Sequence, residues 1–107
     1  MSLTPLKIKT NVLKRINREY YGYLKEAVTQ QKRIDKLIEE NADEADISKQ
    51  KEVLAETHQM IPDVKKRLAA AQQDLQNLVD NTESGDANEL QEARTVLSDV
   101  ESTHLNE

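Results

Sequence analysis

Cysteine, phenylalanine and tryptophan are absent from this 107-residue chain, and glycine and proline occur only twice each. Without cysteine there is no disulfide, no thiol nucleophile and no cysteine–zinc site, a usage that fits the cytosol. With three tyrosines as its only aromatic residues, the core has to be assembled from Leu, Ile, Val and Ala, and such a core is thin. Few turn formers among many Ala, Leu, Lys, Glu and Gln argue for helices and against a sandwich or barrel. No apolar run approaches the roughly 20 residues of a membrane span. The opening MSLTPLKIKT has no apolar signal segment, and no N-x-[ST] sequon occurs. A soluble intracellular protein is the expectation.

Charge is plentiful, at 33% of residues, and unevenly placed beneath a net charge of -5. Residues 1–18 hold Lys7, Lys9, Lys14, Arg15 and Arg18 and no acid, whereas the chain from Asp74 onward is acidic apart from Arg94. Two readings of the basic end stand side by side. It is a docking surface for something acidic, or a solvated face complemented by the acidic end of the same chain.

Hydrophobic spacing resolves three helices. Helix one, about 5–41, opens at Thr4-Pro5, a capping residue followed by proline at the first helical position. Its stripe is Leu13, Ile16, Tyr20, Tyr23, Ala27, Gln30, Ile34 and Leu37. Val12, Leu24, Val28 and Ile38 widen it, as packing against two neighbours requires. Gly22 is a mild defect in this helix. The polar NADEAD stretch then ends it near Asn41.

Helix two, about 46–81, takes Asp46 as its cap and carries Ile47, Gln50, Leu54, Thr57, Ile61, Val64, Leu68, Ala71, Leu75 and Leu78. This three-four alternation crosses the stretch Met60-Ile61-Pro62-Asp63 without losing phase, so Pro62 is expected to kink one helix and not to divide two. After NTESGD, helix three covers about 86–102 from Asp86, with Glu89 close to a capping box and with Leu90, Ala93, Val96, Leu97 and Val100 facing inward.

Short loops make neighbours antiparallel, giving an all-α, elongated up-down-up three-helix bundle as a single domain over 1–107. At ~1.5 Å per residue, helices one and two reach about 55 Å and helix three about 28 Å. Helix three should therefore end opposite residues 62–66 of helix two. That leaves a covered three-helix half and a more open two-helix arm.

Catalytic patterns are missing. There is no P-loop, GxGxxG, HExxH or GxSxG, and His58 and His104 lie far apart, each read as a surface residue. The acids Glu39, Glu40, Asp43, Glu44 and Asp46 lack the spacing and glycine of a calcium loop. No enzyme activity, metal or cofactor is expected. Nucleic acid is an unpromising partner for an acidic chain with no reading motif. The candidate partner-binding residues are Lys9, Lys14, Arg15 and Arg18 on helix one and Lys65, Lys66 and Arg67 after the proline. Tyr21 joins them, being off the stripe that Tyr20 and Tyr23 occupy. Pairing of Lys65, Lys66 and Arg67 with Asp63 and Asp74 is the local alternative.

Three segments in order, LKIKTNVLKRI, DISKQKEVLAETHQMIPDVKKRL and EARTVLSDV, resemble the tubulin-binding cofactor A family of tubulin chaperones. Lys7, Ile8, Lys9 and Thr10 fall on the family's KIKT, and Lys14-Arg15 on its KR. Met60, Ile61, Pro62 and Asp63 fall on its MIPD, and Arg67-Leu68 on the following RL. The Tyr21–Tyr23 segment matches no family motif.

The resemblance implies a three-helix bundle in the cytoplasm, associated with the cytoskeleton and needing no nucleotide or metal. It implies capture of quasi-native beta-tubulin released from the cytosolic chaperonin and its transfer toward the alpha–beta heterodimer. Other tubulin-folding cofactors are further implied partners, and monomer and homodimer both stand. Tubulin is acidic, so the basic residues named above would steer the encounter. The competing function is a generic helical adaptor or tethering bundle for another helical or acidic protein.

Overall fold

The computed structural model describes residues 4–82 and 85–105, and these form three helices joined antiparallel, up-down-up: α1, Pro5–Glu39; α2, Glu44–Asn81; and α3, Ala87–Leu105. Among the described residues there is no strand. Glu83 and Ser84 of the expected NTESGD turn, and the side chain of His104, lie outside the described residues.

The ends of the helices follow from their capping chemistry. The Thr4 hydroxyl accepts the Lys7 N–H at 3.1 Å, satisfying one of the first-turn donors of α1. At the other end Asn41 takes a left-handed φ of 56°. The Ala42 N–H then reaches the Leu37 carbonyl at 2.9 Å, and the Asn41 N–H reaches Ile38 at 3.1 Å. This is the paired closure usually given to glycine, with asparagine as the residue that tolerates the conformation.

Helix α2 begins two residues before the expected Asp46, because the Asp43 carbonyl already accepts the N–H groups of Asp46 and Ile47. The Asp86 carboxylate caps α3, accepting the Asn88 and Glu89 N–H groups at 2.8 and 3.2 Å. The expected role of Glu89 is different in the structure, since its carboxylate accepts the Thr4 hydroxyl at 2.9 Å. Helix α3 also runs three residues further than its stripe indicated.

Met60, Ile61, Pro62 and Asp63 are all helical, so α2 passes through its proline unbroken. Pro62 and His58 lie on an exposed face, where a carbonyl deprived of its donor can be hydrated.

The chain forms two compact units. Unit one comprises residues 1–18 and 66–107, and unit two comprises residues 19–65. All of α3 therefore belongs to unit one. Its core is Leu6, Leu13 and Ile16 of α1, Leu68, Ala71, Leu75 and Val79 of α2, and Ala93, Val96, Leu97 and Val100 of α3. Val79 is buried where Leu78 was expected, and Leu78 is half-buried.

Unit two is a hairpin of α1 and α2 alone. Tyr20, Ile34 and Val64 are its buried apolar side chains, and Gln30 and Thr57 are buried beside them. The Gln30 amide donates to the Gln50 carbonyl at 3.0 Å and to the Gln50 side-chain oxygen at 2.7 Å. In turn Gln30 Oε1 accepts from Arg33 at 2.6 Å. A buried polar group is tolerable when satisfied in this way.

Candidate functional site

Helical spacing decides which cations of α1 are engaged. Lys7 and Lys14, seven residues apart, share a face, and in unit one both meet Glu92 of α3, at 2.6 and 2.7 Å. Hydrogen bonds from Lys14, then Lys7, hold the Glu92 carboxyl down from its ordinary 4.5 to about 2. Lys14, a candidate for the partner surface, donates to Glu92 of α3 while its side chain stays 41% exposed. At these two lysines the acidic end of the chain complements the basic end.

The remaining candidates divide. Lys9 is 3.9 Å from Asp74 of α2, a long pair between exposed groups. Arg15, Arg18 and Lys66 are exposed in unit one and make no ion pair among the described residues. Arg67 is exposed in the same unit, and Lys65 is exposed at the end of unit two. The structure thus gathers Lys9, Arg15, Arg18, Lys66 and Arg67 into unit one and assigns Tyr21 and Lys65 to unit two.

Lys9 and Arg67 line one groove of about 310 Å³, with Asp74 beside them. Ile8, Val12 and Ala70 give it apolar walls. Ile8 is 46% exposed. It lies off the three-four stripe, and an isoleucine in that position is the one signal by which spacing alone marks this wall. The groove joins apolar surface to two cations and one carboxylate, which suits a protein partner and provides no nucleophile–base pair. Among the described residues, no group of three or more His, Asp or Glu is placed to hold a metal ion. No described helix is long and apolar enough to cross a membrane.

Unit two presents a different surface. Tyr21, Leu24, Lys25, Val28 and Thr29 line a depression of about 430 Å³ on α1. Tyr21 is 43% exposed, as its place off the stripe indicates, whereas Tyr20 is buried and Tyr23 half-buried. Val28 and Ile38, expected to be covered by a second neighbouring helix, are 56% and 50% exposed. The physical reason is that unit two holds only α1 and α2.

Residues 1–97 match the family described as tubulin binding cofactor A. The tubulin-specific chaperone A of Homo sapiens is 45% identical over 96 residues, covering 89% of each chain. The solved tubulin folding cofactor A from Arabidopsis thaliana is similar with a TM-score of 0.84 at 35% identity, over 91% of this chain and 92% of that one. RBL2P, described as a beta-tubulin binding post-chaperonin cofactor, is similar with a TM-score of 0.84 at 27% identity, over 94% of this chain and 97% of that one.

Proposed function

From the premise that this chain belongs to the tubulin binding cofactor A family, we propose that it is a tubulin-folding chaperone that binds beta-tubulin. It captures the quasi-native subunit after release from the cytosolic chaperonin and passes it toward the alpha–beta heterodimer, acting in the cytoplasm without cofactor or catalysis. The observation that carries this reading is the family match over residues 1–97, joined by the likeness to a beta-tubulin binding cofactor over 94% of the chain.

The surface of unit one supplies a physical route. Arg15, Arg18 and Lys66 are exposed cations with no ion pair among the described residues, in the same unit as the groove residues Lys9 and Arg67. Such groups steer an acidic partner during encounter, and their influence falls as salt screens them. Apolar helix faces then hold the partner once it is engaged.

The test is size exclusion coupled to native mass spectrometry of the purified chain with beta-tubulin. The expected product is a complex containing beta-tubulin and no alpha-tubulin. Reversing Arg15, Arg18 and Lys66 together to glutamate is expected to slow association on the order of tenfold at low salt, and less at high salt. A wild-type chain that ignores beta-tubulin and instead retains another helical protein would replace the chaperone by an adaptor.

A further inference from the structure

Helix α1 carries one pattern twice. Leu6, Lys7 and Lys14 recur 18 residues later as Leu24, Lys25 and Lys32, with Val28 standing where the first set has Thr10. At ~3.6 residues per turn, 18 residues make five whole turns, so each residue of the second set shares the direction of its counterpart along one helix. In unit one this face is occupied. Leu6 and Thr10 are buried, and Lys7 and Lys14 close on Glu92 of α3. In unit two the same face has no third helix. Leu24 is half-buried, Val28 is 56% exposed, and with Tyr21 and Lys25 they line the depression on α1. Lys25 and Lys32 are exposed and have no ion pair among the described residues.

We propose that the Tyr21–Leu24–Val28 face of α1 docks an amphipathic helix of the client, with an acidic residue held between Lys25 and Lys32. The chemistry of the occupant is read from α3, the helix that the equivalent face already accepts. Apolar side chains lie against Leu24 and Val28 in the i, i+3/i+4, i+7 manner of helix-in-groove recognition. A carboxylate bridges two lysines seven residues apart, as Glu92 does. Two ammonium groups with no acid of their own disfavour a basic helix in that place. The proposal rests on the chaperone reading for which protein presents the helix and not for the chemistry of the contact.

The primary test uses the full chain and two designed peptides of roughly 18 residues, one of leucine and glutamate at helical spacing and one with lysine replacing glutamate. NMR titration of the labelled chain with the acidic peptide is expected to shift amides of residues 21–32, while the basic peptide leaves them in place. Lys25→Gln with Lys32→Gln is expected to weaken the acidic peptide on the order of tenfold. Circular dichroism is expected to show unchanged helicity, because both lysines are exposed. Equal shifts from both peptides, or none from the acidic one, overturn the proposal.

Beta-tubulin then separates the two readings. Binding that survives Tyr21→Ser with Val28→Ser at full strength removes this face from the client contact while the chaperone reading stands. Loss of that binding on the order of tenfold assigns the docked helix to the client. A wild-type chain that does not bind beta-tubulin overturns both the chaperone reading and the assignment of the helix to that client.

Discussion

In unit one the side chains with 0% exposure are all apolar, Leu13, Leu68, Leu75, Ala93 and Val100, and they come from all three helices. In unit two the buried set is Tyr20, Ile34 and Val64, with Gln30 and Thr57 buried among them. The same two helices run through both units, so the contrast is not one of helix propensity. A third helix closes the open side of an antiparallel pair and lets leucine be removed from water completely. Two helices bury less: Val64 also reaches 0% exposure in unit two, but Ile47, Leu54 and Ile61 of the same hairpin are only half-buried. Polar side chains with satisfied hydrogen bonds are then compatible with the middle of the hairpin, where they fix the register of one helix on the other.

The most forceful way to break this comparison is to truncate leucine in each unit. Leu75→Ala removes a side chain with 0% exposure from the three-helix core and is expected to cost about 3 kcal/mol, within the ~2–5 kcal/mol range of such changes. Leu54→Ala removes the same atoms from a half-buried position in the hairpin and is expected to cost about 1 kcal/mol, since less apolar surface returns to water. Urea unfolding of the two variants against wild type measures the difference. Equal losses would mean that the hairpin is as dry as the three-helix unit.

Gln30 offers the next largest effect. Gln30→Ala deletes the amide that donates to Gln50 and the oxygen that accepts from Arg33. It is expected to cost roughly 2 kcal/mol, because polar partners in a partly buried place are left unsatisfied. Replacing both Gln30 and Gln50 by leucine removes the two side-chain amides together, leaving the Gln50 main-chain carbonyl in its helix and Arg33 exposed to water. That pair is expected to recover most of the stability while weakening the preference for a single register. Hydrogen exchange across residues 28–52 distinguishes the outcomes, by uniformly fast exchange in the single variant and heterogeneous protection in the double one.

What the chain disclosed about itself depended on whether a feature was periodic. Leu13, Ile16, Tyr20 and Ile34 were identifiable as core from spacing alone, and unbroken phase through Ile61 and Val64 indicated that Pro62 does not end α2. Tyr21 was separable from Tyr20 because adjacent residues on a helix point about 100° apart. Val28 and Ile38 widen the stripe of α1 yet lie in the two-helix unit, where they stay exposed. Their positions announce a flank suited to a neighbour, yet spacing cannot say whether that neighbour is another part of the chain. Lys14 pairs with Glu92, 78 residues away in sequence, a contact that no local pattern announces. Spacing within KIKTNVLKR puts Lys7 and Lys14 on one face and Arg15 off it, but nothing local says that α3 sets an acid against that face. The groove around Ile8 is likewise made by two helices whose facing register no single stretch encodes.

The smallest effect is electrostatic, and it separates the units by acid. Lys14 and Lys7 lower the Glu92 carboxyl to about 2 in the folded chain, against 4.5 in its ordinary state. Between these values the unfolded chain binds more protons at this position than the folded one, so lowering the pH favours unfolding. The contribution of Glu92 is therefore complete above about pH 4.5, declines as pH falls toward 2, and is gone below that. Glu92→Gln should lower the urea midpoint at pH 6, and its difference from wild type should close progressively between pH 4.5 and 2. High salt at pH 6 should narrow the same difference, because the three groups are partly exposed. Glu40 is the counterpart in unit two, with Lys36 at 4.0 Å on an open helix turn. Glu40→Gln is expected to leave the midpoint near wild type at pH 6, since a long pair between exposed groups adds little. A difference for Glu92→Gln that stays constant from pH 6 to 2 would instead trace its effect to packing against α3, and the lysine clamp would lose its electrostatic role.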